Sequence, residues 1–231
     1  MSMELSITVP SSLKDISLGD YQKFIKIVSD KDITDIFIRQ KMIQIFCNIP
    51  LLAVNKMTRK DFTLISNQII TVLQEKPKLN RLVELKGKTY GFVPNLNKDL
   101  TMGEFVDLDT YMTDWDNFNK AMAVLYRPVT VKKKDSYRIE DYDSDKVDND
   151  LMLSMDMETV MGSFVFFWTL SKQLLAITPK YLQQQLAKNQ KAAEVLEKNG
   201  VGISTFINLL EGVCLKLEML AGYHWERLSY S

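Results

Sequence analysis

A thirteen-residue segment occurs twice in this chain. Residues 9–21 read VPSSLKDISLGDY and residues 93–105 read VPNLNKDLTMGEF, an ungapped match at a spacing of 84. Val, Pro, Lys, Asp and Gly are identical, while Ile/Leu, Ser/Thr, Leu/Met, Asp/Glu and Tyr/Phe exchange conservatively, so ten of thirteen positions agree in character. Each copy predicts the same local structure. A strand ends at Val-Pro, because proline lacks the N–H that a ladder needs, and a short polar loop follows. A helix then opens on a capping box, Ser17 with Asp20 in one copy and Thr101 with Glu104 in the other. A second helix is expected at Ile33 to Asn48 and at Trp115 to Tyr126, closed by Pro50 and Pro128, which makes 9–50 and 93–128 duplicated units. Gly19 and Gly103 read as positions of close helix packing, since a lone glycine does not make a phosphate cradle.

Between the copies, Thr58-Arg-Lys-Asp61 is a third capping box, opening a helix with Phe62, Ile65, Ile69, Val72 and Leu73 on one stripe and ending before Pro77. Leu82 to Val93 alternates around Lys86-Gly87, the pattern of a β-hairpin. Glu4 to Val9 is expected to join it as a third strand. Residues 1–131 therefore read as one α+β domain, predominantly helical, with a small antiparallel sheet.

Composition changes at Lys132. Lys132, Lys133 and Lys134 form a basic run, and residues 135–158 then carry nine acids against Arg138 and Lys146, a local charge of −7. Such a block repels itself, so 132–158 reads as an acidic connector, with Ser136 to Glu140 able to return as a strand against Thr130. A calcium loop at Asp141-Tyr-Asp143-Ser-Asp145 is disfavoured, because Lys146 stands where the turn needs glycine and Met152 where it needs glutamate. Met152, Met155, Met157 and Met161 read as core filling ahead of a partner-facing groove. Residues 159–231 read as a C-terminal helical region: a long helix from Met157 to about Asn189, bent at Thr178-Pro179, and a last helix with an apolar stripe from Ile203 to Ala221. The two are expected to form an antiparallel helical pair whose excess apolar surface contacts another subunit. Phe164, Phe167, Trp168, Phe206, Leu210 and Leu217 are the candidate interface residues.

The same sequence disfavours most chemistry. Twenty-nine basic residues balance twenty-nine acidic ones, so the global positive field of a nucleic-acid-binding protein is missing and direct nucleic-acid binding is not expected. Tyr126-Arg-Pro128 and the lysine run are the residues that could touch a phosphate backbone. Cys47 and Cys214 sit in separate apolar runs and read as buried thiols, and His224, the single histidine, has no spacing that pairs it with either. No catalytic, cofactor-binding or metal-ligating set is expected, and the chain is read as non-enzymatic. Val160 to Leu170 is apolar but too short to span a bilayer, and the first residues lack the pattern of a secretory signal, so no membrane association is expected.

The segments Tyr90-Gly-Phe-Val-Pro-Asn-Leu, Leu100-Thr-Met-Gly-Glu-Phe-Val-Asp-Leu-Asp and Lys120-Ala-Met-Ala-Val-Leu-Tyr-Arg-Pro-Val-Thr130 resemble uncharacterised structural or assembly proteins of large tailed bacteriophages, including the crAss-like group. The resemblance covers mainly residues 85–130, with a weaker echo in Met161 to Leu175, and carries no catalytic residue. It implies a virion structural protein near the portal, neck, tail or packaged interior, acting through contacts with other virion proteins or its own copies and assembled in the host cytoplasm. The alternative it leaves open is an assembly chaperone absent from the mature virion.

Overall fold

The computed structural model describes residues 7–28, 33–94, 99–112, 115–134, 136–167 and 169. Four helices come first: α1 (Leu18–Val28), α2 (Asp35–Phe46), α3 (Leu51–Asn55) and α4 (Arg59–Leu73). Strands β1 (Leu82–Leu85) and β2 (Lys88–Phe92) follow, then α5 (Met102–Tyr111), α6 (Phe118–Leu125), β3 (Tyr126–Lys133) and β4 (Ser136–Ile139). A short 3-10 turn (Leu151–Ser154) precedes α7, which occupies 157–167. The architecture is α+β, with one antiparallel sheet in the order β1-β2-β3-β4. Among the described residues no helix is long and apolar enough to cross a membrane.

Local chemistry accounts for the sheet. Lys86 and Gly87 both take positive φ, 45° and 77°, as the two-residue type I′ turn demands at its central positions. The turn sets Leu85 opposite Lys88 and Val83 opposite Tyr90. β3 then pairs with β2, Tyr90 opposite Pro128 and Phe92 opposite Tyr126. A bulge between Val129 and Val131 bends β3 before it pairs with β4. That bend lets Tyr137 lie over Gly91, where a β-carbon would run into its ring, and donate its hydroxyl hydrogen to the Phe92 carbonyl.

The core gathers the helices around aromatic rings. Trp115 stacks on Phe118 at 4.4 Å between centroids and meets Tyr21 edge-on at 4.9 Å, while its carbonyl accepts from the buried Gln22 amide. Phe164 of α7 packs against Phe118 at 5.8 Å. α7 also lies beneath 78–80: a β-carbon at Gly162 would overlap the Lys78 carbonyl, and Asn80 donates to Glu158 and Thr159. Only glycine permits that approach.

Several expectations change. Residues 7–10 are not a strand; the Pro10 carbonyl accepts from Gln68 of α4 at 3.1 Å, and the third strand is supplied by Tyr126–Lys133. Pro128 does not close the second helix of its unit. The chain passes from α6 directly into β3, and the Pro128 carbonyl accepts from Glu140 at 2.9 Å. The stretch 132–158 holds three different structures. Its beginning forms the β3–β4 hairpin, the return strand expected from Ser136 onward, and no described residue from 136 to 150 is buried. Its end enters the core, where Leu151, Met152, Met155 and Met157 are all buried. There the Leu18 N–H donates to Met155 O at 2.8 Å and the Met157 N–H to Ile16 O at 2.9 Å. Met152, Met155, Met157 and Met161 thus fill the core, as their place in the sequence suggested. Residues beyond 169, and with them the bend at Pro179 and the final helix, lie outside the described residues.

Candidate functional site

The three anticipated caps are formed, each fitted to its acid. Ser17 Oγ accepts from Asp20 N at 3.1 Å and Thr58 Oγ1 accepts from Asp61 N at 3.1 Å. In both, the aspartate turns onto the cap hydroxyl, at 2.8 Å and 2.7 Å. At the third start, Thr101 Oγ1 accepts from Glu104 N at 3.3 Å, and the glutamate, one methylene longer, reaches the Thr101 N–H and completes the reciprocal box.

Glu104 does more than cap. Its other oxygen takes Arg127 Nη1 at 2.7 Å, and the two side chains are 5% and 7% exposed. This buried ion pair ties the start of α5 to β3. Removing either partner leaves an uncompensated buried charge, a loss of about 3–5 kcal/mol. Arg127 Nε is buried with no hydrogen-bond partner among the described residues, which offsets part of what the pair contributes.

Above the pair opens a cleft of about 930 Å³ between α5, the β1–β2 turn and the exposed loop 140–150. Tyr90 and Tyr142 line it. Burial raises the Tyr142 phenol above its ordinary value of 10.0, and Asp107 and Glu104 raise it further. Burial raises Tyr90 as well, followed by the charges of Asp148 and Glu140. Both phenols stay protonated, Tyr142 under the acids of α5 and Tyr90 under those of the loop. Cys47, outside the cleft, is buried, and desolvation pushes its thiol up to about 11, so it stays a packed thiol at neutral pH.

The opposite charge gathers at one end of the sheet. The antiparallel register brings the Lys86-Gly87 turn and the far end of β3 to the same edge, so Lys86, Lys88, Lys132, Lys133, Lys134 and Arg138 cluster there. All six are exposed, and none forms an ion pair among the described residues. In the acidic loop, the one such pair joins Asp143 to Lys146. The sheet end and the loop face each other across open hollows and form no ion pair among the described residues: Lys86 and Lys88 line the cleft with Glu140, Asp141, Asp143 and Asp148, and Lys88 and Lys132 share a second hollow with Glu140.

The remaining site residues divide. Phe164 and Phe167 are 2% and 3% exposed, so they belong to the chain's own core and are not a free contact surface. Trp168, Phe206, Leu210 and Leu217 lie outside the described residues. Arg127, read as able to touch phosphate, points inward to Glu104. Gly19 is tightly packed, its would-be β-carbon 3.3 Å from Leu153 Cβ, whereas a β-carbon at Gly103 would make only ordinary contact, 4.0 Å from Thr101 Oγ1. Sequence reasoning passed over Asp156, which caps α7 by accepting from Thr159 N at 2.9 Å. The signal was available, since Asp-x-x-Thr precedes an apolar run. Comparison with family models, curated proteins and solved structures gave no match.

Proposed function

We propose that this chain is a non-enzymatic structural protein of a tailed bacteriophage virion, working through protein–protein contacts. The sequence resemblance over residues 85–130 supplies the phage assignment. The observation that carries the contact reading is exposed charge left outside ion pairs among the described residues: six cations at one sheet end, and an acidic loop whose one pair joins Asp143 to Lys146. Exposed charge of this kind gives orientation and partner choice to an assembly. The tyrosines, Arg127 and Glu104 in the cleft are engaged in hydrogen bonds, burial and one ion pair, which suits a scaffold.

Mass spectrometry of purified particles of a phage encoding this chain tests the proposal. A fixed copy number relative to the capsid protein is expected. Presence in infected cells together with absence from particles would replace it with the assembly-chaperone reading.

A further inference from the structure

We propose that the loop 140–150 is a strap that closes over the cleft of its own chain, its acids pairing with Lys86 and Lys88 on the opposite wall. The device lies within one copy, so it is independent of the virion reading. Lys86 and Lys88 line the cleft together with Glu140, Asp141, Asp143 and Asp148, and no ion pair among the described residues joins the two sets. Opposite charges face each other there without meeting. Closure would shut Tyr90 and the Glu104–Arg127 pair, which line the same cleft, off from an incoming group.

The two walls differ in how firmly they are held. Lys86 and Lys88 stand in and beside the type I′ turn, which the pairing of β1 with β2 fixes in place. The loop is tied near its ends: the Glu140 N–H donates to the Pro128 carbonyl at 2.9 Å, and the Asn149 carbonyl accepts from the Asn119 amide at 3.0 Å. Between these ties no backbone hydrogen bond among the described residues joins 141–148 to another element. The bonds of residues 143–146 are internal, since Asp143 accepts from the Asp145 N–H and from the Lys146 N–H, both at 3.1 Å. That turn keeps its shape when the loop moves. Tyr142 and Val147, both half-buried, are the loop side chains that rest on the core. A segment anchored at its ends and lightly packed between them opens and closes at low cost. Ion pairs formed at such a surface are weak and screened by salt, so both states are populated and ionic strength shifts the balance.

Two measurements on the full-length protein test this between about 0.1 M and about 1 M NaCl, where the Debye length falls from about 10 Å to about 3 Å. The first is zero-length coupling of carboxylates to amines in a mixture of unlabelled and isotope-labelled protein, read by mass spectrometry. Coupling of Lys86 or Lys88 to a loop acid within one isotope form is expected, falling roughly threefold or more at high salt. The Lys14–Glu158 pair, already at 3.3 Å, is the positive control. The second is chymotrypsin cleavage after Tyr142, taken relative to a peptide of the same loop sequence, which requires the strap to lift. Salt should speed it roughly threefold or more. The variant Lys86→Glu with Lys88→Glu should lose that salt response, and adding Glu140→Lys and Asp141→Lys should restore it. All four side chains are exposed, and circular dichroism confirms that each variant folds. Absence of the Lys86 and Lys88 couplings while the control couples, or couplings found only between isotope forms, overturns the proposal. So does a cleavage rate that ignores salt, a salt response unchanged in the lysine variant, or failure of the charge swap to restore it.

Discussion

The starts of α1 and α5 are built from the same motif and end in different environments. At α1, Asp20 takes the Ser17 hydroxyl and a surface ion pair with Lys23, whose side chains are 39% and 69% exposed. At α5, Glu104 takes the Thr101 N–H and a buried ion pair with Arg127. Glu104 reaches the backbone N–H of its cap residue where Asp20 stays on the hydroxyl, and β3 supplies the arginine. The local pattern gives both helices a start, but only the second start is locked to the sheet. A surface pair contributes between about 0 and 1 kcal/mol, whereas a buried pair costs several times that to break.

The largest expected effect comes from breaking the buried side. Arg127→Ala should lose about 3–5 kcal/mol in urea unfolding, because Glu104 is left charged in the interior. Asp20→Ala should lose far less. Equal losses in the two variants would show that burial does not distinguish the two acids. Next come the cap hydroxyls: Ser17→Ala and Thr101→Ala should each cost roughly 0.5–2 kcal/mol, since each deletes the acceptor for one orphan N–H. An unchanged denaturation midpoint in either variant would remove that cap from the account.

The glycines sharpen the comparison further. Gly103→Ala should stabilise by about 0.4–1 kcal/mol, because the added β-carbon would meet Thr101 Oγ1 only at an ordinary 4.0 Å and alanine loses less freedom on folding. Gly19→Ala should give no gain, because Leu153 must shift to admit the methyl group. Thermal melts of the two variants check the difference, and a stabilised Gly19→Ala would count against the tight packing there.

The smallest effect is on pH. Hydrogen bonds from Ser11 hold the Asp15 carboxyl below its ordinary value of 3.8, and a hydrogen bond from Asn80, with Lys14 nearby, holds Glu158 below 4.5. A lowered folded pKa gives stability above the unfolded value that is lost as pH falls through the folded one. Stability should therefore decline below about pH 4. Asp15→Asn should flatten part of that decline in urea midpoints taken from about pH 5 to about pH 3. An identical slope in the variant would show that Asp15 contributes nothing to it.

Much of the fold was legible because it is set within a few residues. The hydroxyl-to-acid spacing located three helix starts, and Lys86-Gly87 located the hairpin. The apolar stripe of α4 placed Ile69, Val72 and Leu73 in the core, where they are. The misses share a cause: each depends on something distant in the chain. Residues 7–10 look like an edge strand until Gln68 takes the Pro10 carbonyl. Arg127 looks like a surface cation until Glu104, twenty-three positions earlier, meets it in the interior. Phe164 looks available for a partner until Trp115 and Phe118 cover it.

The sequence by itself determined where helices begin, where the hairpin turns and which runs are apolar, because capping, turn geometry and periodicity are short-range properties of the backbone. Tertiary structure alone decided which charges are buried together and which remain on the surface. Glu104 and Arg127 meet because β3 pairs with β2 beside the start of α5, so each finds its counter-charge where water is excluded. The lysines at the sheet end and most acids of loop 140–150 stay on the surface, because the strand register gathers Lys86, Lys88 and Lys132 at the rim of the sheet, where they face the loop across a solvent-filled cleft and not in a buried pair. Water solvates both sets of charge there, so no burial forces them together.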